Sequence, residues 1–476
     1  MDISKRKIFK DTLIYTILPK IYVFANLLVT PIISPYLSLN DFGIYGLIMA
    51  YLNVFQIVIN LGQNVVMQNA FFEYRKNYIL IWRRSFGLMI LAGVLFAGVF
   101  SGIIFLTLAP KLGGNAWLVC ALCSFYLIFS PIETIAVNYY VLHERSFPYA
   151  ICSTIVGSVS VLINLVAIRY FHLGYLGWII VMPVSTVVMY LYYSRRFFVK
   201  EKIFPVFRLS ASFLKKDLKV GAPLIPHQLS LYILGTSDRL LLEYFGVSTA
   251  QIGFYSQGYN LASYGNVFVS GIFQAVARKL QEGFRGEEER HRRFIRKSML
   301  TICALTGGVL FLAALWMKEI FRFLYRKPEL QQAYPVAILV TCSYMFWTIY
   351  TFFVYPLSIR NKTLSISRIS VLAAVFNVVL NILLIPRYGI WAALGATYVS
   401  YMFFGFGGVF SRENRLFMSK YVNILRFTVG MTLYNILLTI VAYFCRDYSF
   451  PVKGLMTVLT LAGAGAGYLY IIRKKS

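Results

Sequence analysis

Two basic residues interrupt apolar stretches of the chain at matching places. Lys20 follows Pro19, and His227 follows Pro226 in a similar segment of the second half. Ionisable side chains within apolar spans are costly and usually mark a functional site, so the two form a candidate pair for an anionic substrate. A proline frees a backbone carbonyl and bends a helix, which suits a helix beside a cavity. The alternative is that Lys20 snorkels to the membrane surface and His227 makes an interhelical hydrogen bond.

Three further charges lie within apolar stretches. Asp238 and Arg239 are adjacent, so on a helix they point about 100° apart and are not expected to pair with each other. Arg239 is a third candidate for substrate binding, although an interfacial charge cluster with Glu243 is an alternative. Asp238 and Glu133 are the carboxylates we expect to couple an ion, and Glu133 follows Pro131 deep in its segment. A structural pair with Arg or Lys is the alternative for Glu133.

The sequence contains none of the usual signatures of enzymes or cofactor sites. It has no GxxxxGK[ST] phosphate loop and no HExxH motif. Cys120 and Cys123 have CxxC spacing but fall inside an apolar segment without a second ligand pair. We therefore expect no metal, no cofactor and no ATP hydrolysis by this chain.

The elements that position these residues are long apolar helices. Hydrophobic residues make up 59% of the chain, and a bilayer crossing needs about 20 consecutive apolar residues. The runs do not alternate as barrel strands do, so the expected fold is all-α, with about fourteen transmembrane helices. The predicted spans are 12–35, 42–70, 86–109, 116–141, 149–168, 175–193, 220–243, 252–277, 298–317, 335–357, 364–385, 390–410, 422–444 and 454–472.

The distribution of basic residues predicts the orientation. Most of the 46 Lys and Arg residues lie at the two termini and in the loops on the same side as the termini. Loops rich in Lys and Arg stay in the cytoplasm, so both termini are predicted to be cytoplasmic. The net charge of +28 then reflects contact with anionic lipid headgroups, and no nucleic-acid partner is expected. The longest connections, 194–219 and 278–297, are too short for a soluble domain.

The two halves of the chain resemble each other. Residues 18–20 match 225–227, residues 42–45 match 252–255, and residues 160–164 match 377–381 in the same order. Six spans per repeat place both halves in the membrane in the same sense, with a cavity between them. We expect a six-helix bundle over 1–205, a second over 206–420, and two additional transmembrane helices over 421–476.

Two blocks of sequence resemble a known family. The first comprises Ser237-Asp238-Arg239-Leu-Leu-Leu and Ile252-Gly-Phe-Tyr-Ser256, and the second runs from Asn377 to Ala393. On these residues the chain resembles the polysaccharide-repeat (O-antigen/capsule) flippases of the MOP exporter superfamily. The family often has Gly-Ala where this chain has Ala392-Ala393, which is a minor departure.

The resemblance implies twelve to fourteen helices in two bundles and a transport function without enzymatic activity. Such a flippase moves an undecaprenyl-pyrophosphate-linked oligosaccharide from the cytoplasmic to the outer leaflet of the bacterial inner membrane. The product is surface polysaccharide such as O-antigen of lipopolysaccharide, capsule or exopolysaccharide. The implied partners are that lipid-linked oligosaccharide, membrane lipids, a polysaccharide polymerase and chain-length proteins.

Three alternatives stay open at this point. A MATE-like antiporter for drugs or cations has the same fold, although it favours carboxylates over Lys and His in the cavity. A membrane-embedded polysaccharide polymerase or ligase typically needs a large extracytoplasmic loop, and no predicted outer loop is large. A major-facilitator transporter carries a Gly-rich basic loop between spans two and three, but residues 71–84 contain no glycine.

Overall fold

The chain is helical throughout the part that the structure describes. The structure is a computed structural model, and it describes residues 27–74, 77–208, 210–286, 288–360 and 362–473. No β-strand is present in these ranges. The longer helices of the first half are α1 Leu39–Asn60, α2 Gln63–Glu73, α3 Tyr78–Thr107, α4 Ala116–Phe129, α5 Pro131–Leu142, α6 Ser146–Asn164, α7 Tyr175–Ser194 and α8 Ala211–Gly221. Those that follow are α9 Ile225–Thr236, α10 Asp238–Tyr244, α11 Thr249–Arg285, α12 Glu289–Leu315, α13 Met317–Leu324, α14 Tyr334–Ser343, α15 Met345–Ile359, α16 Thr363–Tyr388, α17 Ile390–Phe406, α18 Arg412–Met418, α19 Ile424–Phe444 and α20 Phe450–Arg473.

Ten helical segments within the described residues are long and apolar enough to cross a membrane. They are Leu39–Glu73, Tyr78–Thr107, Ala109–Leu142, Phe147–Tyr170, Tyr175–Lys200, Glu289–Leu315, Pro328–Ile359, Thr363–Tyr388, Ile390–Val409 and Ile424–Asp447. Each overlaps one predicted span, so the all-α, multi-pass membrane fold is confirmed. The total of fourteen spans and their grouping into two six-helix bundles stay predictions.

The remaining predicted spans have a different character. The region 220–243 contains the short helices α9 and α10, and 252–277 lies in α11, which is long but rich in polar residues. Only the end of the predicted span 12–35 is described, as part of the short apolar helix Leu27–Tyr36. The predicted span 454–472 lies within α20.

The chain divides into two compact units, described here separately. The N-unit comprises the described residues up to Leu229 together with Leu324–Arg326. The C-unit comprises Ser230–Phe323 and the described residues from Lys327 onward. The predicted domain boundaries near 205 and 420 stay a prediction.

The N-unit has an aromatic core closed by polar contacts. Trp82 on α3 is fully buried, and its Nε1 donates a hydrogen bond to the carbonyl of Met67 on α2 at 2.9 Å. Tyr139 on α5 donates to Glu201 Oε1 at 2.7 Å, and Arg196 forms an ion pair with Glu201 at 2.6 Å. Buried tyrosine and tryptophan side chains need such partners, so these bonds hold α2, α3, α5 and the segment after α7 together.

A carboxylate joins the starts of α1 and α7. Ser38 caps α1 by accepting a hydrogen bond from the Asp41 backbone N–H, while Asp41 Oδ2 accepts from the Ser38 backbone N–H. Asp41 Oδ1 also accepts from the Tyr175 backbone N–H at 2.9 Å. Gly174 has a φ of 53°, and a Cβ there would lie 2.3 Å from Asp41 Oδ1. Only glycine suits this position.

Matching positions of the two halves adopt matching backbone conformations. Ser248 caps α11 as Ser38 caps α1. Each serine lies four residues before its matched segment, 252–255 or 42–45. Arg169-Tyr170 and then Gly174 match Arg387-Tyr388 and Gly389 after a small deletion. Gly389 precedes α17 with φ 58° and ψ −133°, while Gly174 precedes α7 with φ 53° and ψ −128°. These similarities support the internal repeat predicted from the sequence.

Ion pairs fasten the last helices to the rest of the C-unit. The Lys453 side chain on α20 is fully buried, and its Nζ donates to Glu319 Oε1 at 2.7 Å and Oε2 at 2.9 Å. The same Nζ donates to the Arg446 carbonyl at 2.7 Å. Lys318 forms an ion pair with Asp447. We call these residues of α13, α20 and the 445–447 turn the terminal clamp.

Candidate functional site

Asp238 is the centre of a buried polar cluster in the C-unit. It begins α10, and its side chain is fully buried. Its carboxylate accepts hydrogen bonds from Tyr255 Oη at 2.5 Å, Thr397 Oγ1 at 2.5 Å and Asn381 Nδ2 at 2.8 Å. We call these four residues the Asp238 cluster. A buried carboxylate is tolerated only where such donors replace water, so the surrounding helices are built around it.

Four helices contribute to the cluster. Asp238 lies at the start of α10, Tyr255 on α11, Asn381 on α16 and Thr397 on α17. Asn377 lies one turn before Asn381, and its Oδ1 accepts from Asn381 Nδ2 at 3.1 Å. The i, i+4 spacing places both amides on one face of α16. The carboxylate therefore joins helices that are distant in sequence.

Arg239 has its own set of partners. It is buried, and its Nε donates to Ser256 Oγ at 3.0 Å. Its guanidinium lies over the Tyr259 ring, 4.8 Å from the centroid. Asp238 and Arg239 thus contact successive residues of α11, Tyr255 and Ser256. The guanidinium also lies 5.8 Å from the centroid of the Tyr255 ring, so the two side chains share a neighbour but hydrogen-bond to different residues.

The cluster is rich in oxygen atoms. Besides the carboxylate, it contains the hydroxyls of Thr397 and Tyr255 and the Oδ1 of Asn381, which accepts no hydrogen bond from the described residues. Oxygen ligands suit protons and hard cations. The described residues contain no group of three or more His, Cys, Asp or Glu side chains that could hold a metal ion. A transition-metal centre is not indicated there.

The other predicted residues lie elsewhere. Lys20 falls outside the described residues. His227 is half-buried on α9, in the part assigned to the N-unit. Glu133 lies on α5 in the N-unit with an exposed side chain. Of the predicted residues, Asp238 and Arg239 thus belong to the C-unit, while His227 and Glu133 belong to the N-unit.

Sequence reasoning missed most partners of Asp238. Asn377 and Asn381 stood out as a repeated pair in an apolar span, yet they were not assigned to a site. Tyr255 belongs to the first family-like block. The amide pair was a usable signal because uncompensated polar groups in a membrane helix are costly. Thr397 carried no comparable signal.

Comparison with known proteins places the chain in a family. The family described as polysaccharide biosynthesis protein matches residues 8–278, more than half of the chain. The chain belongs to this family. The first of the two family-like sequence blocks, residues 237–256, lies within the matched region. The predicted family resemblance is confirmed.

One curated relative of this chain is the Lsg locus putative protein 1 of Haemophilus influenzae. The two are 22% identical over 277 residues, which cover 57% of this chain. The alignment spans 65% of the relative, less than two thirds of its length.

Solved structures show which fold this chain has. The lipid II flippase MurJ in an inward closed conformation matches with a TM-score of 0.68 at 14% identity, covering 96% of this chain and 99% of MurJ. An inward-facing multidrug resistance MATE transporter of the MOP superfamily matches with a TM-score of 0.59 at 12% identity, covering 86% of this chain and 98% of the transporter. The chain therefore has the MurJ/MATE-like fold.

Proposed function

We propose that this protein is a flippase for an undecaprenyl-pyrophosphate-linked oligosaccharide. It moves the repeat unit from the cytoplasmic to the outer leaflet of the bacterial inner membrane, for synthesis of O-antigen, capsule or exopolysaccharide. The observation that carries the proposal is the combination of two findings: a polysaccharide biosynthesis family and a transporter fold over nearly the whole chain. A protein that combines the two handles polysaccharide precursors at the membrane.

The Asp238 cluster is the proposed site of ion coupling. Its donors come from α11, α16 and α17, so a movement between these helices changes the ligands of the carboxylate. A proton or a monovalent cation that binds one arrangement better than another shifts the conformational equilibrium by its difference in affinity. Glu133 is the second proposed coupling carboxylate, and its exposed side chain lacks such an enclosure.

The diphosphate of the substrate is proposed to contact cationic side chains. Lys20 and His227 are the proposed direct contacts, at matching positions of the repeat. Ser256 and Tyr259 enclose Arg239, so in this conformation its charge attracts the substrate without direct contact. Direct contact would require the Arg239 side chain to leave these two residues.

Deletion of the gene in its host tests the proposal. The measurements are the amount of lipid-linked oligosaccharide in the membrane and the amount of polysaccharide at the surface. A flippase defect leaves completed repeat units on the cytoplasmic leaflet and removes surface polysaccharide, and the intact gene restores both. Normal polysaccharide without accumulation would overturn the proposal.

A second candidate is a drug or cation antiporter. The observations that favour it are the TM-score of 0.59 to a multidrug transporter and an enclosed carboxylate suited to ion exchange. The same deletion strain distinguishes the two functions. An antiporter predicts increased sensitivity to toxic cations or drugs, together with unchanged lipid-linked oligosaccharides.

A further inference from the structure

A row of amide side chains runs along α1 and α2 in the N-unit. Gln56, Asn60, Asn64 and Gln68 recur every four residues within the apolar span Leu39–Glu73. We call these four residues the amide ladder. The chain leaves the helical conformation at Leu61 and Gly62, where φ is 49° and 69°, so each helix carries two members of the row, about 6 Å apart along its axis. A row of four amides on two successive helices suits an extended molecule better than a single ion.

The amide ladder faces polar groups on α4 and α5. Gln56 Nε2 donates to Tyr126 Oη at 2.5 Å, and Asn60 Nδ2 donates to Thr134 Oγ1 at 3.3 Å. Asn138 serves the two remaining members: its Nδ2 donates to Asn64 Oδ1 at 2.9 Å, and its Oδ1 accepts from Gln68 Nε2 at 3.2 Å. The ladder and its partners form a continuous polar strip across two helical spans.

This strip remains accessible in the N-unit. Gln56, Asn60 and Asn64 are half-buried, and Gln68 is exposed. Glu133, beside Thr134, is exposed as well. Amides and a carboxylate at membrane depth cannot face hydrocarbon without a large penalty, so an accessible strip of this kind lines a water-filled space. Polar side chains that serve only to join helices would be enclosed between them.

The chemistry of the strip is neutral apart from Glu133. An amide offers a donor and an acceptor side by side, which matches the hydroxyls of a sugar ring. A diphosphate requires cations, and the nearby carboxylate of Glu133 would repel it. The strip therefore suits the carbohydrate part of a lipid-linked substrate and disfavours its phosphate part.

We propose that the amide ladder is the carbohydrate-contacting wall of the N-unit. It binds hydroxyl groups of the oligosaccharide while the diphosphate and the lipid are held elsewhere. The inference rests on the proposed flippase function and adds the part of the substrate that this surface recognises.

Binding to the purified full-length chain tests the inference with two probes. One probe is the undecaprenyl-pyrophosphate-linked oligosaccharide of the host, and the other is undecaprenyl pyrophosphate without sugar. In the double variant Asn64→Leu/Gln68→Leu, two amide contacts are lost, so the affinity for the sugar-bearing lipid should fall about tenfold or more. The affinity for the bare lipid should stay within about twofold.

Asn69→Leu is the matched control. Asn69 is an exposed amide on the same helix, but it is about 100° away from Gln68 around the axis. The same chemical change there should leave both affinities unaltered. If the double variant does not fold, Asn64→Gln/Gln68→Asn keeps the hydrogen-bonding groups but displaces them. It should weaken binding of the sugar-bearing lipid alone.

Each outcome has a distinct meaning. Equal loss of affinity for both lipids would overturn the inference and assign the amide ladder to helix packing. Unchanged affinity for both would also overturn it. If the unaltered chain binds neither lipid, the flippase proposal itself fails, and that result is distinguishable from failure of the ladder variants.

Discussion

The Asp238 cluster and the amide ladder are both polar regions of an apolar chain, but they differ in enclosure. Asp238 and Asn381 are fully buried, and each hydrogen bond to the carboxylate is short. The amide ladder is partly open, and apart from the nearby Glu133 it is uncharged. An enclosed charge suits a small ion whose binding favours one arrangement of the surrounding helices over another. An open neutral strip suits a large, uncharged part of a substrate.

Matching positions of the predicted repeat carry different chemistry in the two units, although Ser38 and Ser248 cap their helices in the same way. Asn377 and Asn381 contribute to the cluster in the C-unit, whereas the matching Ser160 lies 3.2 Å, Oγ to Oγ, from Ser185. Tyr255 binds the carboxylate, whereas the matching Tyr45 packs against Trp178. Polar residues of the N-unit are concentrated on α1, α2, α4 and α5 instead.

The largest expected effect is that of Asp238→Asn. The amide has the same shape but carries no charge, so it cannot bind and release a proton or cation in the same way. We expect surface polysaccharide to fall to the level of the deletion strain, with normal amounts of protein in the membrane. Glu329→Gln, which changes an exposed carboxylate of the C-unit outside the cluster, should leave export unchanged. Full export by Asp238→Asn would show that the cluster is structural.

Alanine substitutions at the matching glycines, Gly174 and Gly389, should destabilise the protein to different extents. Alanine at Gly389 meets no atom within 4 Å, so only its positive φ costs free energy, about 1–3 kcal/mol. Alanine at Gly174 must also displace Asp41, which adds about 2 kcal/mol through lost capping bonds. The free energy of unfolding, measured in detergent, should therefore be lower for Gly174→Ala than for Gly389→Ala. Equal losses would mean that Asp41 shifts freely.

Two buried asparagines test the difference in enclosure directly. Asn381→Leu removes a donor from a carboxylate that water does not reach, so the free energy of unfolding should fall by about 1.5–3 kcal/mol. Asn138→Leu removes bonds to Asn64 and Gln68, which can turn towards water, so a loss of about 1 kcal/mol is expected. Thermal unfolding of both variants in the same detergent measures the difference. The reverse order would contradict an open ladder.

The smallest effect is expected for Glu133→Gln. Glu133 is the secondary coupling carboxylate: Asp238 stays ionisable in this variant and the amide keeps its hydrogen-bonding capacity, so export should change by about twofold or less. Quantification of surface polysaccharide provides the measurement. A loss of export as complete as that of Asp238→Asn would show that the N-unit carries the coupling site or part of it.

Much of the fold was predictable because membrane helices must satisfy their own backbone. All ten long apolar helices overlap predicted spans. The regions of α9, α10 and α11 were read as ordinary spans because apolar residues surround Asp238 and Arg239 there. In the structure the helix is interrupted between Thr236 and Asp238.

The site was only partly predictable because it joins distant parts of the chain. Asp238 and Arg239 were recognisable as charges in an apolar segment, but their partners lie on neighbouring helices. Thr397 is one hydroxyl among many in the sequence, and only packing of α17 against α10 reveals its bond to Asp238. The amide ladder was not recognised, although its four-residue spacing is visible in the sequence. Spacing alone does not tell whether a row is enclosed or open.

The terminal clamp has a consequence for biosynthesis. Glu319 and Lys453 are 134 positions apart, so at 5–20 residues per second the ribosome needs on the order of ten seconds to supply the lysine after the glutamate. Over that interval the Glu319 carboxylate lacks the ammonium that later pairs with it. A nascent chain that stalls before α20 therefore presents an uncompensated acid at this place. Pairing with Lys453 neutralises this charge only after α20 has been synthesised.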